Sequence, residues 1–195
     1  MTTRRSNESD RDWAEQMDDA DYQLAMGIEP TPRKPRCLSG HESRQMKNDE
    51  WLTPPEIIKA LGKFDLDPCS PEKRPWPTAA THFTKSQDGL LLPWHGRVWL
   101  NPPFGDEAVK WMEKMAAHGD GTALIPARTE TNMFHRYVWK GARGIFFLKG
   151  RPHFHYVDGR RAKFGTGAPM CLIGFGFDDC EALIESGLTG TFVWI

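Results

Sequence analysis

The chain has 195 residues, enough for one ordinary domain with short extensions and too few for two full ones. Hydrophobic residues make up 39% and charged residues 26%, which supports a buried core and excludes a wholly disordered chain. A formal net charge of -1 provides no overall basic field, so any attraction to a polyanion must come from local patches. Such patches exist. Residues 1–29 carry three basic side chains against eight acidic ones, residues 30–48 five against one, and residues 143–163 six against Asp158 alone. The longest apolar runs, such as Ile145 to Leu148, fall far short of the roughly 18 residues that span a bilayer, and the polar start lacks an apolar signal region. Neither secretion nor a membrane partner is expected. Four widely spaced cysteines without a Cys-x-x-Cys pair fit a reducing cytoplasm better than a zinc ribbon or disulfide scaffold.

Residues 1–48 are polar and include the proline-rich basic stretch 29–36, which reads as a linker or arm. Trp13, Met17, Leu24 and Met26 suggest a short helix within it. The domain proper is expected over 49–195. At its start Thr53 has the chemistry of a helix cap, Pro54 that of a first helical residue, and Glu56 completes a capping-box pattern before Ile57, Ile58 and Leu61. Gly62 ends that helix. Strands are predicted at Phe64 to Asp67, Val98 to Leu100, Thr122 to Ile125 and Gly144 to Leu148. Helices are predicted between the later strands, over 105–117 with Val109, Met112 and Ala116 on one face, and over 130–142 with Met133, Phe134, Tyr137 and Val138 on one face. This alternation predicts an α/β domain, a mainly parallel sheet with helices on both faces. A hairpin follows, with His153 to Val157 and Arg160 to Phe164 joined at Asp158-Gly159. Met170 to Phe177 then reads as a long strand, Asp178 or Asp179 as the cap of a helix through Ile184, and Thr191 to Ile195 as a last short strand.

Asn101-Pro102-Pro103-Phe104 follows directly on the strand Val98 to Leu100, and in an open α/β sheet ligands bind at the carboxyl ends of strands. Two prolines fix φ and remove two backbone donors, leaving a stiff turn whose carbonyls are free to accept. The Asn101 side-chain oxygen and the Pro102 carbonyl can together accept both hydrogens of an exocyclic amino group, while Phe104 stacks on the ring that bears it. That grip draws the nitrogen lone pair out of conjugation. A packed proline-rich loop is the plainer reading, but strand, acceptor, two prolines and aromatic in succession favour chemistry. His153-x-His155 would put two imidazoles on one strand face, but no third ligand is signalled and no metal site is expected. The eight tryptophans read mainly as core, although Trp51, Trp94 and Trp99 cluster around the motifs.

With this motif the sequence resembles the phage-type Dam family of DNA adenine-N6 methyltransferases. Trp51-Leu52-Thr53-Pro54, Phe64 to Cys69 and Asp88-Gly89-Leu90 before Trp94 agree with it, and the likeness covers about Asp49 to Phe177. The resemblance implies a Rossmann-like methyltransferase fold with a late antiparallel strand or hairpin, S-adenosylmethionine as cofactor, double-stranded DNA as partner, and a target base flipped out of its stack. It implies catalytic roles for Asn101, Pro102, Pro103 and Phe104. Trp51, Thr53, Pro54, Asp67, Pro68, Asp88 and Asn101 would then face the cofactor, with Asp67 near its ammonium group. Here Cys69-Ser70-Pro71 replaces the family's glycine-rich turn. Arg128, Lys149, Arg151, Arg160, Arg161 and Lys163 read as contacts to DNA phosphates, or alternatively as solvated charges that protect an edge. Cytosine N4, adenine in RNA or a protein glutamine amide would present a similar planar amino group. A non-catalytic nucleic-acid-binding module is the reading from outside that class.

Overall fold

The computed structural model describes residues 50–195; the arm 1–48 and the helix suggested around Trp13 lie outside them. The first helix, α1, spans Pro55–Leu61 and starts later than the sequence predicts. Pro54 is its N-cap, with φ -51° and ψ 127°, because a residue that precedes proline is driven out of the α region. Pro55 therefore takes the first helical position, Glu56 falls one place short of a capping box, and no side chain caps the helix. Thr53 Oγ1 is left buried and unpaired. Gly62 ends the helix at φ 85°, as expected.

Seven strands form one sheet in the order β2-β1-β3-β4-β6-β5-β7. They are β1 Leu66–Asp67, β2 Thr81–His82, β3 Val98–Leu100, β4 Gly121–Pro126, β5 Gly144–Leu148, β6 Met170–Gly174 and β7 Gly190–Trp194. At one end β2, β1, β3 and β4 pair in parallel. At the other end β6 pairs antiparallel with both β4 and β5, and β5 pairs antiparallel with β7. Strands β1 to β5 consequently point the same way, and their carboxyl ends share one rim. β2 carries too few residues and too little apolar pattern to be read from the sequence.

Along the strands, side chains alternate between two buried layers, the period-2 geometry of a sheet covered on both faces. Leu66, Val98, Leu100, Ala123, Ile125, Ile145 and Ile173 pack on one side against helix α2, Ala108–His118, and the turn Phe134–Val138. Trp99, Leu124, Phe146 and Leu172 pack on the other against α1 and helix α3, Phe177–Glu185. In α2 the buried stripe is Ala108, Trp111, Met112 and Met115, not the predicted Val109 face. This i, i+3, i+4, i+7 spacing buries the large Trp and two Met side chains and turns the smaller Val109 outwards. The helix predicted at 130–142 is reduced to a π-helical turn in which the Trp139 N–H donates to Phe134 O at 3.0 Å; Phe134 and Val138 are buried as predicted.

The predicted hairpin is only partly formed and stays outside the sheet. Its arms meet in one antiparallel bridge, His155 to Arg161, and His155 also bridges Leu52. The arms pair with none of the seven strands, and the antiparallel strands of the sheet are β6 and β7 instead. α3 is capped by Gly176, and Asp179 accepts from the Gly176 N–H at 3.0 Å instead of acting as the cap itself.

At the rim opposite the shared carboxyl ends, the fully buried Asp179 ties four segments together. It accepts from Arg97 Nε and the Gly121 N–H, each at 2.7 Å, from Gly176 N–H, and from Thr122 Oγ1 at 3.2 Å. Arg97 Nη1 donates to Leu61 O and Lys63 O, closing the end of α1 onto the same cluster. Removing one partner of a buried ion pair strands the other charge. Asp179→Ala is expected to lower unfolding stability by about 3–5 kcal/mol in urea titrations. Asp158→Ala, which removes the exposed pair with Arg160, should shift the urea midpoint much less.

Candidate active site

The chain runs from β1 out to β2 and then returns to β3 on β1's other side, so β1 and β3 are neighbours at which the strand order reverses. Such a reversal opens a crevice beyond the carboxyl ends, the usual ligand position of open α/β sheets. A cleft lies there. It measures about 250 Å³ with its open mouth included and is lined by Trp51, Leu52, Thr53, Asp67, Cys69, Ser70, Pro71, Arg74, Thr78, Trp99 and Asn101. The sequence analysis named Trp51, Thr53, Asp67 and Asn101 among these and noted Trp99 as a nearby aromatic.

Asn101 leaves β3 on the same side as Trp99, two residues earlier. Its Nδ2 donates to the Trp51 carbonyl at 3.2 Å, which fixes the amide plane and leaves Oδ1 buried with no partner. Thr53 Oγ1 and Trp99 Nε1 are likewise buried and unpaired. Three residues of one cleft therefore hold unpaired polar atoms: an acceptor, a hydroxyl and a donor. Buried polar groups are almost always bonded, and each exception costs about 1–3 kcal/mol. A concentration of exceptions in one place is what a binding site for a polar ligand requires.

Asp67 is 4% exposed and its oxygens are occupied from within. Oδ2 accepts from Thr78 Oγ1, and Oδ1 accepts from the Cys69 N–H at 3.0 Å, so the aspartate shapes its own turn where a glycine-rich loop would otherwise stand. Burial pushes its carboxyl up to about 6, while the bonds from Thr78 and Cys69 and the charge of Arg74 oppose the rise. Beside it burial, reinforced by the charges of Asp67 and Glu107, pushes the Cys69 thiol far above its ordinary range. The loop from β1 to β2 is held by His82, whose Nε2 accepts from the Thr78 and Ala79 N–H groups at 3.2 and 3.3 Å. Burial, then the charge of Arg74, depresses that imidazole to about 4, so it stays neutral and able to accept.

The remaining sequence candidates are absent from the cleft's lining. Pro54 is buried at the α1 cap, and Pro68 is buried behind Asp67. Asp88 stands in an exposed turn at φ 53°, where its carboxylate accepts from the Leu90 N–H at 3.1 Å. That turn is nevertheless pressed against the Asp67-Pro68 turn: a Cβ at Gly89 would lie 2.0 Å from the Pro68 carbonyl oxygen, so only glycine fits. Pro102 is buried, Pro103 half-buried, and Phe104 41% exposed with its ring edge-on to Phe154 at 6.1 Å. Arg128 and Lys149 follow β4 and β5 on the same rim and are exposed. Arg151, Arg160, Arg161 and Lys163 are exposed on the hairpin, whose root touches the site through the Leu52 to His155 bridge and the Trp51 to Tyr156 ring contact at 5.0 Å. His153 Nδ1 pairs with Ala162 O, and among the described residues no three potential metal ligands lie together.

Sequence reasoning did not assign Arg74, Thr78 or Ser70. All three sit in an irregular loop with no periodicity, where nothing local indicates that the chain folds back over Asp67.

The fold is that of an α/β protein with a cleft at the reversal of its strand order. The family model described as DNA N-6-adenine-methyltransferase (Dam) matches residues 40–177, and the chain belongs to that family. No curated protein and no solved structure matches it. Membership makes DNA adenine methylation the activity to be explained.

Asp67 also provides a test of the site's electrostatics. Its folded pKa lies above the unfolded value near 3.9, so the folded protein holds this proton more tightly. The associated stability is complete below about pH 4 and is lost as pH rises through about 6. Relative to Asp67→Asn, the wild-type unfolding free energy is expected to fall by roughly 3 kcal/mol between pH 4 and pH 7, measured by urea titration at each pH.

Proposed function

We propose that the protein transfers a methyl group from S-adenosylmethionine to N6 of an adenine extruded from double-stranded DNA, on a Rossmann-like methyltransferase scaffold. The observation that carries this reading is the unpaired Asn101 Oδ1, held at the carboxyl end of β3 in a cleft shared with Asp67. Together with the Pro102 carbonyl it supplies two acceptors for the two hydrogens of an amino group. Bonding both hydrogens frees the nitrogen lone pair from the ring. Pro102 and Pro103 contribute no N–H that could compete, and they hold the acceptors still. Phe104, braced edge-on by Phe154, offers an exposed ring face for stacking the base. The insertion of antiparallel β6 between β4 and β5 supports the scaffold assignment.

The residues present suit the cofactor. Asp67 would hold its ammonium group, Thr53 Oγ1 and Trp99 Nε1 provide unpaired donors, and Trp51 and Pro54 shape the entrance with the Asp88 turn behind Pro68. When bound, S-adenosylmethionine supplies an electrophilic methyl group carried on a sulfonium. Direct attack of the amino nitrogen on that methyl group needs no covalent enzyme adduct. Catalysis then rests on positioning and on the electrostatics of the two acceptors. The hairpin cations Arg151, Arg160, Arg161 and Lys163, with Arg128 and Lys149 on the rim, would hold the phosphates on either side of the extruded base.

Labelled methyl transfer to duplex DNA, followed by nucleoside analysis of the product, tests the reaction; label on cytosine N4, on RNA or on protein would replace the acceptor assigned here. Asn101→Ala is expected to lower turnover by about 100- to 1,000-fold while cofactor affinity measured by calorimetry changes little. The double variant Arg161→Ala, Lys163→Ala should weaken DNA binding and reduce the slope of log affinity against log salt by about two.

A further inference from the structure

The two edges of the sheet differ. β2 ends one side with two residues, too short a ladder to take up a further strand. β7 ends the other side with five, and among the described residues no strand pairs with its outer flank. In an antiparallel pair alternate residues bond towards the partner strand. The Lys149 N–H donates to Thr189 O and the Ile195 N–H to Arg143 O, each at 2.9 Å, so the odd-numbered residues bond inwards to β5. Gly190, Phe192 and Trp194 therefore turn their backbone N–H and C=O groups to the open edge. Natural edges are commonly protected by Lys, Pro or a bulge. Gly190–Trp194 contains no charged residue and no proline, and its register with β5 is unbroken. Around it Val193, Trp194, Ile195 and, from α3, Phe177 and Ile184 are 40–61% exposed, with the Trp194 ring 6.3 Å from that of Phe177. β7 and all of α3 after Phe177 lie outside the residues that match the family.

We infer that β7 is a self-association edge, on which two copies of the chain pair their β7 strands antiparallel across a twofold axis centred on Phe192. In that register Phe192 faces its own counterpart, and Gly190 of each copy lies opposite Trp194 of the other. The three residues with free backbone groups on one copy thus meet the same three on the second, as a twofold interface requires. Their side chains match as well. Residues 190, 192 and 194 share one face of the strand, so the largest side chain of β7 stands opposite the residue that has none. Gly190 is kept bare by the Phe146 ring, 2.3 Å from where its Cβ would stand, and an aromatic side chain set against an edge glycine strengthens strand pairing. On the other face Thr191 meets Val193 of the second copy, and the uncharged strand brings no like charges together. The five exposed apolar side chains amount to roughly 500 Å² per copy, or about 1,000 Å² for the pair, where specific interfaces begin. Pairing uses up both open edges, so assembly closes at the dimer.

Sedimentation equilibrium of the full chain between about 1 and 200 µM tests this assignment, and a monomer–dimer equilibrium is expected. Val193→Lys places a charge on the edge, and Trp194→Lys also removes the contact with Gly190. Each should raise the concentration of half-dimerisation at least about tenfold, with the far-UV circular dichroism unchanged because both side chains already face solvent. Crosslinking reads the register independently. Thr191→Cys and Val193→Cys, oxidised singly and as a mixture, should give most disulfide dimer in the mixture, since these positions oppose each other across the twofold axis. A monomer at every concentration, whether the edge stays open or another partner covers it, would overturn the assignment. So would a dimer that both lysine variants leave intact, assembly that continues past the dimer, or crosslinking no stronger in the mixture than in either variant alone. If one lysine variant folds poorly, the other and the cysteine pair still decide the question.

Discussion

The site depends on the hydrogen bond from Asn101 Nδ2 to the Trp51 carbonyl. An asparagine amide free to turn would offer either its oxygen or its nitrogen to the cleft; tied by its nitrogen, it presents only an acceptor. The structure accepts the cost of leaving that oxygen buried and unpaired. Trp51 is fixed in turn, since the next residue, Leu52, exchanges two 2.9 Å backbone bonds with His155, and the Trp51 ring packs on Tyr156. A segment near the start of the described chain and a hairpin from its last third therefore jointly set the orientation of one side chain at the end of β3.

The two ends of β3 solve opposite problems. It begins beside Arg97, whose Nε and Nη1 meet Asp179 and the end of α1 in a cluster spanning α1, β4 and α3. It ends four residues later at an acceptor with no partner. Between them Trp99 fills the core on one side while Val98 and Leu100 fill it on the other. The bonded end holds the strand's position, so the unpaired end need not be stabilised by its own contacts.

Much of this was legible in the sequence because it is written in local patterns. β3 and β5 begin and end where their apolar runs do. Asn101 was singled out by the residue types of its motif, and Trp51, Thr53 and Asp67 by the family resemblance; the structure brings all four to the lining of one cleft. Errors arose where a neighbour's stereochemistry overrode a residue's own preference, as when Pro55 drove Pro54 out of the helix and deprived Thr53 of its cap. The stripe on α2 was misread because Val109 and Ala116 fit a helical period, yet the bulk of Trp111 and Met115 decided which face is buried. Arg74 and Thr78 were beyond reach. Their role comes from the loop between β1 and β2 closing over Asp67, a long-range event with no signature in spacing.

The hairpin that stands off the sheet divides sharply into positions that must be kept and positions that can change. Its root is committed, since Phe154 is buried against the core and His155 is bonded to Leu52, but its tip from Asp158 to Lys163 is mostly solvent-facing and joins no ladder of the sheet. Exchanges at Arg160, Arg161 and Lys163 would therefore carry little folding cost, whereas Gly159, at φ 88° with its Cβ position 3.1 Å from Pro75, is confined to glycine. Divergence can then accumulate at those exposed positions while the root that orients Asn101 is inherited unchanged.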